Sequence, residues 1–234
     1  MHGHQLMKLI HVGVSRRVLT TGLLAALSVI LLSSACVGGK NPPISNTPSS
    51  GVGCVAPAKT SMQDADPSDS KGLPFRKTGS GPVIVYFENV NLSARQWNEL
   101  QQAAQIWSRS PCIKAIAVTQ CPPSLKCIHV GQYHSGEGPA GRALDRDTDG
   151  VFMGEERGGW TTGGVIAFNL DLINEEATQE SLAISVHEMG HAFRLPHRNN
   201  QTDVMNAGTD ANASLTSPIP DKVDFDNLRV LYGK

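Results

Sequence analysis

His187-Glu188-Met189-Gly190-His191-Ala192-Phe193-Arg194-Leu195-Pro196-His197 is the stretch around which the rest of the chain is organised. A helical residue advances about 100°, so His187 and His191, four apart, share a face and converge on one ion. Glu188 falls on a neighbouring face. There a carboxylate reaches a water beside the ion without ligating the metal, as a general base must. Pro196 cannot continue a helix, so the chain turns after Phe193 and can return His197 as a third nitrogen donor. Three protein donors and an open fourth position are the arrangement of a catalytic zinc. Structural zinc closes with four donors, often thiolates, and no Cys lies near this cluster. The expectation is Zn2+ held by His187, His191 and His197, with Glu188 as the catalytic base.

The same residues resemble the metzincin metallopeptidases, whose extended motif is HExxHxxGxxH followed by a Met-turn. All three His and the Glu match, and Arg194 stands where the family has Gly. That Gly takes a left-handed conformation to end the helix. An Arg there costs about 1–2 kcal/mol, so the bend is expected to be strained or made in another way. Asp203-Val204-Met205-Asn206 resembles the Met-turn, with Met205 beneath the metal. Ala207 stands where some metzincins place an extra Tyr ligand, and Arg198, after the third His, does not decide a subfamily. The closest likeness is to matrixins, helped by residues 223–233, which resemble their last helix.

The resemblance covers residues 82–234, strongly at the zinc motif and loosely elsewhere. It implies an α+β fold: a mixed twisted sheet with an active-site helix and a C-terminal helix, and a zinc cleft between upper and lower subdomains. It also implies zinc-dependent hydrolysis of peptide bonds in a protein or peptide substrate. The alternative is an inactive zinc- and calcium-binding module on a lipoprotein tether, for which Arg194 is the main argument. Against it, Glu188 ligates no metal and has no use in a merely structural site. A calcium-dependent binding module would leave the zinc motif unexplained.

With 234 residues, 40% hydrophobic and net charge −1, the composition suits one globular domain plus extensions and points to no nucleic-acid partner. Arg16-Arg17, an apolar run of about 15 residues and Ser33-Ser34-Ala35 read as a secretory signal, since a membrane span needs about 20. Ser15-Arg16-Arg17-Val18-Leu19 partly resembles a twin-arginine signal. His2, His4 and His11 fall in this segment and are set aside as ligands.

Ala35-Cys36 resembles the cleavage box of bacterial lipoproteins, in which the Cys becomes the lipidated N-terminus, although Ser33 replaces the usual Leu. Cleavage after Ala35 and free secretion is the competing reading. The expected organisation is a signal peptide at 1–35, a flexible tether at 36–81 and a catalytic domain at 82–234. The protein is expected to be an exported monomer, held at the cell envelope through lipid on Cys36 or secreted. Cys54, Cys112, Cys121 and Cys127 predict two disulfides with three pairings open, Cys54 stapling the tether to the cluster at 111–128. No recognisable switch motif surrounds Cys54 to make it an inhibitory thiolate.

Strands are expected at 83–87, 114–119, 128–133 and 165–169, with a helix from Ser93 to 108 that turns Trp107 into the core. Asn174-Glu175-Glu176 opens the zinc helix with acidic residues where the dipole favours them. His129 and His134 read as ordinary strand or loop histidines, because their spacing does not reproduce the second, structural zinc site of matrixins. The run from Asp145 to Glu156 satisfies D-x-[DN]-x-[DN]-G-x5-E. Asp145, Asp147 and Asp149 would give carboxylate oxygens to Ca2+, Gly150 the sharp turn, Val151 its carbonyl and Glu156 a bidentate carboxylate. Glycines on both sides exclude EF-hand helices, and a solvated acidic turn is the competing reading. Residues 139–144 resemble the edge strand with which metzincins grip an extended substrate, and calcium would fix that strand over the cleft. Cys36→Ala is expected to move the protein from the membrane to the soluble fraction. Fractionation with intact-mass measurement checks this, and soluble wild-type protein beginning at Cys36 without lipid mass would remove the anchor.

Overall fold

Alternation in Val83-Ile84-Val85-Tyr86-Phe87 puts Val83, Val85 and Phe87 into the core and leaves Ile84 44% exposed, which fixes the first strand's two faces. The computed structural model describes residues 53–59, 61–69, 72–123, 126–139, 142–146, 148–174, 178–207 and 218–233. The expected signal segment and Cys36 lie outside the described residues, as do Asp147, Glu175 and Glu176.

The described chain runs β1 (Val83–Asn89), α1 (Ala94–Trp107), β2 (Ile113–Val118), β3 (Cys127–Tyr133), β4 (Gly150–Arg157), β5 (Trp160–Asn169), α2 (Leu170–Ile173), α3 (Thr178–Ala192) and α4 (Lys222–Tyr232). One sheet has the order β2-β1-β3-β5-β4. Its first four strands are parallel, while β4 pairs antiparallel with β5. This is a mixed α/β architecture with a mostly parallel sheet, compatible with the α+β class expected.

Ser93 starts α1 with a capping box, its hydroxyl accepting from Gln96 N and the Gln96 side chain accepting from Ser93 N. That helix packs on α3, where the Trp107 indole donates to Val186 O at 2.9 Å and Ser181 Oγ donates to buried Glu99 at 2.6 Å. Trp107 meets Phe193 edge-to-face at 5.8 Å and Phe225 at 6.1 Å, while Phe87 meets Phe193 at 5.6 Å. Trp107 is thus a core residue, as its place on the apolar face of α1 suggests.

Three expectations differ from the structure. Asn174, expected to open the helix of the histidines, caps the C-terminus of α2, and α3 begins at Thr178. Described residues of 139–144 form no strand, and the edge strand is β4, inside the acidic motif itself. Residues 53–81, whose composition suggests a tether, pack in their described part against the domain. Phe75 is 1% exposed in the core, Ala56 N donates to Gly233 O at 2.9 Å, and Gln63 N donates to Asn227 Oδ1 at 2.8 Å. Composition averages over a window, and one buried Phe with a few specific bonds anchors a segment that is polar on average.

The disulfides are Cys54–Cys112, closing a separation of 58 residues, and Cys121–Cys127, closing 6. Cys54 therefore joins its segment to the cysteine cluster. In the chain-entropy picture the longer loop contributes about 4 kcal/mol and the shorter about 2 kcal/mol. Chemical denaturation should accordingly show Cys54→Ser with Cys112→Ser losing about twice the stability lost by Cys121→Ser with Cys127→Ser.

Candidate metal centre

His187 and His191 leave α3 from one face, and the helix ends at Ala192. Arg194 then takes φ 71°, one of two non-glycine residues with positive φ among those described. Arg194 N donates to His191 O at 2.8 Å and Leu195 N to Gly190 O at 3.1 Å, which are the two hydrogen bonds of a Schellman stop. The left-handed bend expected of Gly is thus made by Arg. Three side-chain ties accompany it. Arg194 Nε donates to Thr161 Oγ1 at 2.7 Å, an Nη donates to Glu156 Oε1 at 2.9 Å, and the guanidinium lies 5.2 Å from the centre of the Phe152 ring. Gly72 and Gly154 flank the guanidinium so closely that a Cβ on either would collide with it.

The bend delivers His197 to the other two. His191 Nε2 lies 2.9 Å from His187 Nε2 and 3.1 Å from His197 Nε2. Each opposite nitrogen is tied back. His187 Nδ1 donates to Val204 O at 2.6 Å, His191 Nδ1 to Leu195 O at 2.9 Å, and His197 Nδ1 faces Asp69 Oδ2 at 3.0 Å. Carbonyls and a carboxylate only accept, so the Nδ1 atoms carry protons and the Nε2 atoms are the ones turned toward one another. Burial pushes His187 down to about 4 and holds His191 well below its ordinary value, so these rings are neutral at pH 7.

Lone pairs this close repel unless a cation sits between them. Donors at about 2.0–2.1 Å from a tetrahedral zinc stand about 3.3 Å apart, close to the separations found here. The residues therefore fit a zinc ion with three protein donors.

Glu188 stands beside them, 5% exposed, and is not one of the three donors that lie within 4.8 Å of one another. It accepts from the Phe152 backbone N–H, and its Oε2 has no partner. Burial, aided by the Asp149 charge, pushes its carboxyl up to about 8, and a cation at the histidines acts in the opposite sense. Met205 lies under α3, where a Cβ at Gly190 would collide with Met205 Sδ, so only Gly permits that approach.

No protein-family model matches this chain, and no curated protein resembles it closely enough in sequence to count as a match.

Among the described residues, Glu156 is not brought to the other expected calcium ligands, and Asp147 lies outside them. From Gly150 to Arg157 the chain is extended, which carries Glu156 about 20 Å along β4 from the start of that strand. Ligands on one Ca2+ stand 2.3–2.6 Å from it and so about 5 Å or less apart. Glu156 instead pairs with Arg194 and accepts from Leu73 N at 3.2 Å, while Val151 lies opposite Ala167 in the β4–β5 ladder. Asp145 accepts from the Asn169 side chain through its carbonyl, and Asp149 O accepts from Asn169 N at 2.8 Å. Gly150 has a different use, since a Cβ there would come within 2.9 Å of Glu188 Cγ.

Two other donor clusters occur among the described residues. Cys127, grouped with Glu88 and His129, is bound in a disulfide and offers no thiolate. Asp203, Asp221 and Asp224 surround the buried Arg198, whose guanidinium already supplies their cation. His134 bonds to Asp171 at 2.6 Å in an exposed pair.

Asp69, Gly190 and Thr161 escaped the sequence reading. Only the tight HEMGH spacing around Gly190 carries a local signal, since the roles of Asp69 and Thr161 arise from contacts far along the chain. Arg194→Gly removes the left-handed strain together with the guanidinium ties, whereas Arg194→Ala removes the ties and keeps the strain. The Gly variant should therefore be the more stable of the two by about 1 kcal/mol, as thermal and urea denaturation would read.

Proposed function

We propose that this protein is a zinc-dependent endopeptidase of the metzincin type, with His187, His191 and His197 as zinc ligands and Glu188 as the catalytic base. The observation that carries the reading is the convergence of three Nε2 atoms, each ring tied back through Nδ1. Further support comes from the buried Glu188 with a free oxygen, from Met205 packed under the same helix, and from the left-handed bend at Arg194. Because Arg194 makes the bend, its replacement of the family's Gly is no argument for an inactive module.

When bound, zinc supplies Lewis acidity, polarising a carbonyl oxygen and making water acidic enough to lose a proton near neutral pH. Glu188, held by Phe152 N–H through one oxygen, uses the other to take that proton and pass it to the departing amine. β4 is the last strand of the sheet and packs against α3, so a peptide adding to its free edge would lie alongside the histidines. Two disulfides suit an oxidising compartment, and we place the protein outside the cytoplasm, on a lipid anchor at Cys36 or free. No described helix is long and apolar enough to cross a membrane.

Glu188→Ala should retain one zinc per chain while peptide cleavage falls by about 10²–10⁴-fold, because it removes a proton carrier and no ligand. Metal analysis and a general peptide-cleavage assay check this, with chelator abolishing and added zinc restoring wild-type cleavage. Wild-type cleavage rates in the variant would sink the mechanism.

A further inference from the structure

The third ligand comes from a stretch without helix or strand of its own. His197 lies past the end of α3, and its backbone is held from two remote segments. On one side Arg198 N donates to Met205 O at 2.8 Å, in a parallel bridge between Arg198 and Asn206. On the other, residues 64–69 wrap the turn. Ala65 and Arg198 form an antiparallel bridge, Asp66 N donates to His197 O at 2.8 Å, and Asn199 N donates to Asp64 O at 3.2 Å. Asp69 completes the wrap with both carboxylate oxygens. Its Oδ2 accepts from His197 N at 2.6 Å and lies 3.0 Å from Nδ1, and its Oδ1 lies 3.2 Å from the same Nδ1.

From this geometry we infer that Asp69 is the positioning residue of the third ligand. It fixes the ring orientation and the Nε2-donating tautomer of His197 from a segment that precedes the sheet and that composition marks as a linker. The other two histidines are oriented by backbone carbonyls of residues close to the motif, Leu195 and Val204. Only His197 takes a charged partner, which makes its nitrogen a stronger donor than a neutral partner would. Asp66 serves as an internal contrast. Its carboxylate is engaged by Ser68 N at 2.8 Å and Ser68 Oγ at 2.6 Å, so it shapes the segment without touching the His197 ring.

The inference rests on the zinc reading above and is tested by metal binding in the whole protein. Zinc affinity is measured by chelator competition for wild type, Asp69→Asn, Asp66→Asn, His197→Ala and the double variant Asp69→Asn with His197→Ala, with near-UV circular dichroism to confirm folding. An Asn amide offers one accepting oxygen where Asp69 uses two, so Asp69→Asn should weaken zinc binding about 10- to 100-fold. Asp66→Asn should stay within about twofold, because loosening the segment is not the cause. In the His197→Ala background Asp69→Asn should change affinity no further, since the ring it orients is gone. Unchanged affinity in Asp69→Asn, or a loss that persists in the His197→Ala background, would overturn the positioning role while leaving the zinc site standing. A wild-type protein that binds no zinc would overturn the zinc reading itself, and this inference with it.

Discussion

The meeting of the three histidines depends on the chain reversing at Arg194. His197 is six residues beyond His191, and continued helix would carry it about 240° around the axis, away from the other two rings. The left-handed φ of 71° at Arg194 ends the helix with both Schellman hydrogen bonds made. A side chain in that region is unfavourable for any residue with a Cβ. Here the guanidinium is held by Thr161, Glu156 and the Phe152 ring, all on the β4–β5 hairpin. The strained residue thereby also ties the end of α3 to the edge of the sheet, a connection that Gly could not make.

That tie explains the fate of the acidic run after Asp145. Its residue types and spacing match a calcium loop, yet the hairpin partner β5 offers 150–157 a ladder of backbone hydrogen bonds. Pairing with β5 satisfies the backbone groups on one side of that run and leaves the other side as the sheet's free edge, and its Glu156 finds a cation in Arg194. Gly150, chosen by the calcium pattern for a sharp turn, instead gives Glu188 the space it fills. The same sequence feature thus acquires a different physical reason.

A second hub lies behind the histidines. Arg198, 3% exposed, meets Asp203, Asp221 and Asp224 and reaches Asp64 at 3.4 Å. Burial alone would lower its pKa, but Asp224 and Asp203 override that and hold it fully charged. One guanidinium thus joins the segment before the sheet, the Met205 turn and the start of α4. Replacing it by an uncharged residue would leave several carboxylates crowded without a cation, a costly arrangement in a partly dry site.

By itself the sequence determined what is local. The four-residue spacing of His187 and His191, the helix stop before Pro196, the capping of α1 by Ser93 and the alternation of β1 follow from 3.6- and 2-residue periods acting over a few neighbours. The cysteine count determined that there are two disulfides but not how they pair. Tertiary structure alone decided the rest. It placed Asp69 on His197 across 128 residues, seated Phe75 in the core from a segment polar on average, and turned a metal-like acidic run into the edge strand of the sheet. The physical reason is shared. A periodic pattern reports which face of an element is apolar, whereas the partner of a single carboxylate or ring is set by which distant segments the fold brings within about 3 Å, and no local period encodes that.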